Sequence, residues 1–336
     1  MVNFGIIGCG SIANVHATVI NNIPDAHLVA CCDIDAVKGR EFARRFECQF
    51  YLDADSLIKR SDIDVITIAT PHYLHGQMAI AALRAGKHVI CEKPMALSVE
   101  EAKQVLAVSR QVNRIYVVCY QNRFNPTMVK LKEILQTNKF GKLQGVKGIV
   151  TWHRDLDYYQ RAPWKGYWRT EGGGVLINQA IHTLDAICWL VGRPVSVKGK
   201  IMTSILDGVI EVEDSAMATC QLADKTPVLI FASNDYSSDP TPLITLDYEK
   251  ATIELGSDTL KINGEELVVD SSTDVIGKAY WGNGHQRLFQ TVVAKIKHRP
   301  DILVDCLASE NAIDSLMLVK GIYRSSKTDS WQTIEG

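Results

Sequence analysis

Lys93 stands in the tripeptide Glu92-Lys93-Pro94, and Asn178 and His182 lie four residues apart in the middle of a 336-residue chain. These are residue types that hold and move protons. A lysine amine or an imidazole can take a hydroxyl proton, and a histidine exchanges one near neutral pH. At helical spacing Asn178 and His182 share one face of a helix that begins near Val175, and the carboxamide can hold a substrate hydroxyl. The triglycine Gly172-Gly173-Gly174 just before that helix reads as a place where a ligand comes close to the backbone. Together these groups suit hydride removal from a secondary alcohol, where one group takes the proton and neighbours orient the carbon. By residue type alone, Lys93 reads first as an exposed lysine beside Glu92, and His182 as a core histidine satisfied by a carbonyl.

A hydride acceptor has its own signal. Gly8-Cys9-Gly10-Ser11-Ile12-Ala13 follows an apolar strand pattern and opens a helix pattern, a GxGxxA form of the dinucleotide fingerprint. The first glycine allows the tight turn, the second lets backbone approach a pyrophosphate, and Ser11 and Ile12 begin the helix whose amides face the phosphates. Asp33 follows the second strand about 20 residues further on, where a carboxylate accepts from ribose hydroxyls and repels a 2′-phosphate. NAD is therefore favoured over NADP. Arg44 and Arg45 read as a solvated helix face.

These residues need a frame. Strand patterns at Asn3–Ile7, Leu28–Cys32, Val65–Ala69, His88–Cys91 and Ile115–Cys119 alternate with helical patterns such as Gln77–Ala85 and Val99–Asn113. Ser98 and Glu101 have capping-box spacing. The alternation predicts a doubly wound parallel sheet, covered on both faces, over a domain of residues 1–121. Lys93 would then lie at the carboxyl edge of the sheet, where open α/β folds bind ligands, and Pro94 restrains its backbone. Beyond that point Asn125-Pro126 opens a helix, Gly141–Thr151 reads as a strand, and residues 195–275 alternate as strands with turns at Asp207-Gly208 and Asn263-Gly264. Helices near Gln286–Lys297 and Ser309–Ser325 finish the chain. Residues 122–336 thus read as an α+β domain on an open, largely antiparallel sheet.

Composition narrows the partners. The chain is 46% hydrophobic and 22% charged, its formal net charge is −2, and it lacks any block of basic residues. Neither nucleic acid nor an anionic membrane suits it as a main partner. The N-terminus reads as a strand rather than a signal peptide, and no stretch is apolar for the length a bilayer demands. The nine scattered cysteines form no zinc-ligand or disulfide pattern. A soluble protein of the reducing cytoplasm, with no metal site, is the expectation.

Further motifs occur in order: Ala69-Thr70-Pro71-His72, His75, Ala85-Gly86-Lys87-His88-Val89, Glu92-Lys93-Pro94, Gln121-Asn122-Arg123, and Gly172-Gly173-Gly174 with Asn178 and His182. With the glycine loop, this series resembles the Gfo/Idh/MocA family of oxidoreductases nearly end to end. The resemblance implies a nicotinamide-binding Rossmann domain, a substrate domain on an open sheet, and a homodimer or homotetramer built on that sheet. It implies that Lys93, through the EKP motif, shares the proton work with His182. Thr70, Pro71 and His75 match the loop over the nicotinamide ribose, with Glu92, Lys93 and Gln121 beside the cofactor. Arg123 and Asn178 fall to the substrate, as do Tyr159 and His153 in an aromatic stretch suited to a carbohydrate wall or, equally, to a subunit interface. Trp168 and Arg169 fall near the cofactor phosphates.

Many inositol- and glucose-oxidising relatives carry Asp at the position of Asn178, and Asn is familiar among nucleotide-sugar dehydrogenases. A sugar, nucleotide-sugar or cyclitol is the implied substrate. A dihydrodiol or small-carbonyl oxidoreductase is the second reading, and a non-catalytic NAD-binding regulator of the same fold is the third.

Overall fold

The computed structural model of the chain describes residues 1–269 and 284–334. Along it run β1 (Val2–Ile7), α1 (Ser11–Asn21), β2 (Ala26–Cys32), α2 (Ala36–Arg45), β3 (Gln49–Tyr51), α3 (Ala54–Ile58), β4 (Val65–Ile68), α4 (His75–Arg84), β5 (His88–Cys91), α5 (Val99–Gln111) and β6 (Tyr116–Val118). There follow α6 (Pro126–Gln136), β7 (Leu143–Thr151), α7 (Leu156–Gln160), α8 (Val175–Asn178), α9 (Ile181–Val191), β8 (Ser196–Met202), β9 (Ser215–Gln221), β10 (Pro227–Ser233) and β11 (Leu243–Tyr248). The remainder is β12 (Ala251–Leu255), β13 (Leu260–Ile262), β14 (Glu265–Glu266), α10 (Gly284–Ile296), α11 (Ile313–Thr328) and β15 (Gln332–Thr333). Residues 270–275, the end of the expected strand-rich stretch, lie outside the described residues.

The chain divides into two compact units. Residues 1–124 make the first together with 284–310, and residues 125–269 make the second together with 311–334. The first unit is a six-stranded parallel sheet in the order β3-β2-β1-β4-β5-β6. All four residues of β4 are buried, as a strand covered on both faces requires. Ser98 caps α5, its hydroxyl accepting from the Glu101 amide at 3.1 Å. Helix α10 returns from far along the chain to pack on α1, with Phe289 5.0 Å from the His16 ring and 6.0 Å from Phe4.

The second unit is a nine-stranded sheet in the order β14-β13-β12-β11-β7-β10-β9-β8-β15. Only β7 and β10 pair in parallel; the other neighbours are antiparallel. Its strands alternate with period two: Val228, Ile230 and Ala232 are buried while Leu229 is exposed. Helices α9 and α11 cover the buried face.

One helix departs from the sequence reading. The single helix expected to begin near Val175 and carry both Asn178 and His182 breaks at Gln179–Ala180, because the Ala180 amide bonds the Val175 carbonyl, five residues back. That wider turn re-aims the side chains on either side, and such turns recur at functional sites.

Candidate active site

The register of the parallel sheet gathers the first unit's motifs. Ile7 pairs with Cys32 and Ile68, Ile68 with Cys91, and Cys91 with Val118, so these strands end level with one another. The next amides are stitched across that edge: Gly8 to the Cys32 carbonyl, Ala69 to Ile7, Glu92 to Ile68 and Cys119 to Cys91, at 2.7–2.9 Å. The glycine loop, Asp33, Thr70-Pro71, Glu92-Lys93 and Gln121 therefore leave one carboxyl edge, which is where ligands bind in open α/β sheets.

The loops have the chemistry a dinucleotide needs. Gly8 takes φ +92°, and a Cβ there would run into the Ala69 carbonyl, so the turn requires glycine. A Cβ on Gly10, by contrast, would meet only the Lys38 ammonium, at 4.0 Å, and α1 begins with no side-chain cap on its amides. Those amides are available to phosphate oxygens. Asp33 accepts from the Cys9 amide at 2.8 Å and lies 3.7 Å from Lys38 Nζ, so one carboxylate both braces the glycine loop and stands beside it. Thr70 Oγ1 is buried without a hydrogen-bond partner among the described residues. An orphaned hydroxyl at this edge fits a nicotinamide ribose.

Other predicted positions are more enclosed. His75 is fully buried, with Nδ1 2.7 Å from the Pro94 carbonyl and Nε2 2.9 Å from that of Thr70. Burial holds its ring below the usual pKa, and a neutral ring donates to only one of these carbonyls. Its visible work is to tie the Thr70 loop to the Lys93 loop. Arg123 is buried, donates to the Ala308 carbonyl at 3.1 Å and stacks on Tyr120; Gln121 beside it is buried also. Ser11 is exposed, while Ile12 and Lys93 are half-buried.

In the second unit a polar cluster surrounds Asn178. Its amide nitrogen donates to Glu171 Oε1 at 2.5 Å and to the Tyr158 hydroxyl at 3.2 Å. Gln179, turned out by the helix break, donates to the same hydroxyl and accepts from Asn234. Glu171 is 1% exposed, and its other oxygen accepts from the Gly166 amide at 2.6 Å. Burial pushes its carboxyl up to about 7 against the pull of these donors and of Lys165. His182 lies half-buried on α9, one helix on from Asn178.

The triglycine has an internal reason that replaces ligand access. Glu213 is buried and accepts from the Gly174 and Leu176 amides and from the Tyr323 hydroxyl, at 2.8–3.0 Å. It thereby caps α8 from a distant loop. A Cβ on Gly174 would run into the Glu213 backbone, and one on Gly173, at φ +152°, into the Tyr323 hydroxyl. The glycines let this carboxylate grip the helix start.

The aromatic stretch divides in two. Tyr158 adjoins Asn178, but Tyr159 is buried in an apolar cluster with Leu206, Ile210 and Val212, its hydroxyl meeting Asn234. His153 is exposed and bonded to the Tyr236 carbonyl, and Arg154 pairs with Asp239. Trp168 donates to the Glu211 carbonyl and Arg169 is exposed. Tyr158 belongs to the aromatic stretch, whereas Gln179 and Glu213 carry no sequence signal of a site, because their partners are distant in the chain. Glu171 has partners within seven residues, but its residue type alone does not mark it.

Comparison with known proteins follows the same division. A family described as NAD-binding Rossmann-fold oxidoreductases matches residues 2–120, and the GFO/IDH/MocA C-terminal domain matches residues 128–254. Glucose-6-phosphate 3-dehydrogenase of Bacillus subtilis (strain 168) is 30% identical over 69% of this chain and 68% of its own. Levoglucosan dehydrogenase of Pseudarthrobacter phenanthrenivorans is 30% identical over 61% of this chain and 55% of its own. Across the curated relatives compared, the chain spans 49% to 72% of their length. The solved WlbA dehydrogenase of Bordetella pertussis, in complex with NADH and UDP-GlcNAcA, superposes with a TM-score of 0.88 at 26% identity, over 100% of this chain and 98% of that one.

Proposed function

Because the chain belongs to the Gfo/Idh/MocA family of oxidoreductases, with NAD as cofactor, we propose that it moves a hydride between NAD and a secondary alcohol of a sugar or nucleotide-sugar. The observation that carries this reading is the single sheet edge from which the glycine loop, Asp33, Thr70 and Lys93 all emerge. The Asn178 cluster supports the polyhydroxylated substrate, since a half-buried carboxamide already fixed by a carboxylate is suited to hold a hydroxyl. Names of relatives point the same way: a sugar phosphate, an anhydrosugar, and in WlbA a complex with a nucleotide-sugar.

In this reading the α1 amides and Gly10 hold the pyrophosphate, and Asp33 holds the adenosine ribose. Thr70, Pro71, His75, Glu92 and Gln121 shape the nicotinamide side, with Trp168 and Arg169 assigned to the phosphates. NAD supplies the hydride acceptor. Lys93 and His182 share the proton from the reacting hydroxyl, Asn178 orients that hydroxyl, and Arg123, Tyr159 and His153 bound the remainder of the substrate. Asp33→Asn removes the charge that repels a 2′-phosphate. It is expected to narrow the NAD/NADP preference about tenfold, roughly 1.4 kcal/mol, in competing titrations of the two reduced cofactors.

A second copy of the chain covers the outer face of the larger sheet. Met217, Ile149, Leu229 and Leu243 are all exposed there on neighbouring strands, an apolar patch of the kind that marks an interface. Among the described residues no helix is long and apolar enough to cross a membrane.

The deciding experiment is a panel of sugars, sugar phosphates, cyclitols and nucleotide-sugars with NAD, read by NADH formation and by thermal shift. A true substrate at 100 times its Kd adds about 2.7 kcal/mol of stability. NAD binding with no turnover across the panel would replace the enzyme by a regulator. Turnover with dihydrodiols alone would replace the sugar.

A further inference from the structure

Directly behind Lys93 lies a second polar cluster, wholly within the first unit. His16 on α1, Glu92 after β5, Cys119 after β6 and His285 on α10 are all buried, and their side-chain donor atoms lie within 4.8 Å of one another. His16 links this cluster to the sheet. Its Nδ1 is 2.9 Å from the hydroxyl of Thr67, a fully buried residue of β4, and its Nε2 is 2.9 Å from Glu92 Oε1. The other Glu92 oxygen accepts the Lys93 backbone amide at 3.3 Å. Phe289 and His285 of α10 pack against the imidazole at 5.0 and 6.1 Å, which restricts its rotation.

We propose that His16 is a positioning residue for Lys93. Anchored to Thr67, it clamps the Glu92 carboxylate, and that carboxylate fixes the Lys93 amide and so the turn that presents the Lys93 side chain. Functional groups are held well only when their supporting contacts are locked in turn, and here both His16 links, to Thr67 and to Glu92, are buried. Burial alone would raise the Glu92 carboxyl. The hydrogen bond from His16, with the field of the histidines and Lys93, overrides burial and holds it well below the usual range. The clamp therefore grips an ionised group, which makes its hydrogen bonds stronger.

The same four side chains have the donor types of a zinc site, assembled from four separate elements that no spacing rule connects. In the structure the cluster is held together by its own hydrogen bond, between His16 Nε2 and Glu92 Oε1 at 2.9 Å.

The proposal rests on Lys93 as a proton-transfer residue, but its test does not need the substrate. Acetic anhydride labelling of Lys93 at fixed pH, read by peptide mass spectrometry against the other lysines, reports on the side chain's setting. His16→Leu is expected to change that rate at least about fivefold, while His16→Gln, which keeps an N–H toward Glu92, stays within about twofold of the parent. NADH affinity, measured by fluorescence, is expected to stay within about threefold in both variants, since neither touches the glycine loop. Should His16→Leu not fold, Thr67→Val removes only the anchor and is expected to shift the rate in the same direction. An unchanged rate in the folded variants, or stoichiometric zinc in the purified protein, overturns the proposal. A sugar panel without turnover would instead sink the enzymatic reading and leave this geometry standing.

Discussion

Lys93→Ala is expected to lower turnover about 10²- to 10⁴-fold, the range for loss of a general acid–base group, while NADH still binds. The argument begins with what the truncation leaves intact. Lys93 is half-buried on a loop, and the turn beneath it is held by backbone: the Glu92 amide bonds the Ile68 carbonyl, and the Glu92 side chain bonds the Lys93 amide. These contacts do not use the lysine amine, and the variant is expected to keep its glycine loop, which NADH binding checks. Lys93→Arg sharpens the test. It keeps a positive charge but carries a guanidinium that does not give up its proton in a protein, so it is expected to be nearly as inactive. An electrostatic role alone would leave Lys93→Arg close to the parent. Measuring NADH formation at saturating NAD with the best substrate of the panel separates the two. If Lys93→Ala keeps parental turnover, the proton passes to His182, and His182→Ala becomes the variant that must lose activity.

Much of the site's frame was legible in the sequence because it is local. The strand His88–Cys91 and the cap at Ser98 come from runs of adjacent residues, and both stand as expected. Strand β3 was missed because Gln49-Phe50-Tyr51 is too short to show a period. The helix break at Gln179–Ala180 was missed because nothing there is a glycine or proline. The break lies where the Ala180 amide bonds the Val175 carbonyl, in a helix whose start is gripped by Glu213, 39 residues from Gly174. The helix near Gln286–Lys297 was legible as α10, but its return to the first unit leaves no mark in its own amphipathic pattern, and so the neighbours of His16 were hidden. Spacing of four also promised Asn178 and His182 one helix face, and two helices share that span instead. Local signals located the candidate residues, Glu92 among them; that Glu92 meets His16, 76 residues away, and that Glu213 grips the start of α8 were set by contacts across the fold.

Of the buried carboxylates Glu171 makes the most direct claim on stability. Its folded pKa, about 7, lies above the ordinary 4.5 because burial disfavours the charged form. The native state therefore keeps its proton in a window where the unfolded chain has released it. Stability contributed by this group is greatest below about pH 4.5 and declines as pH rises toward 7. The full difference amounts to roughly 3 kcal/mol, at about 1.4 kcal/mol for each pH unit. Glu171→Gln keeps the shape and an oxygen to accept from Asn178, but carries no titrating group. In urea unfolding the variant is expected to gain about 2 kcal/mol on the parent between pH 5 and pH 8. Comparing the two proteins cancels the other groups that titrate in that interval. A difference that does not change with pH would mean that Glu171 is ionised throughout, with Asn178 and Gly166 outweighing its burial. The cost at pH 8 has a use in the proposed reaction: an ionised Glu171 is the stronger acceptor for Asn178 Nδ2. It turns the carboxamide oxygen away from itself, the orientation in which Asn178 can accept a substrate hydroxyl.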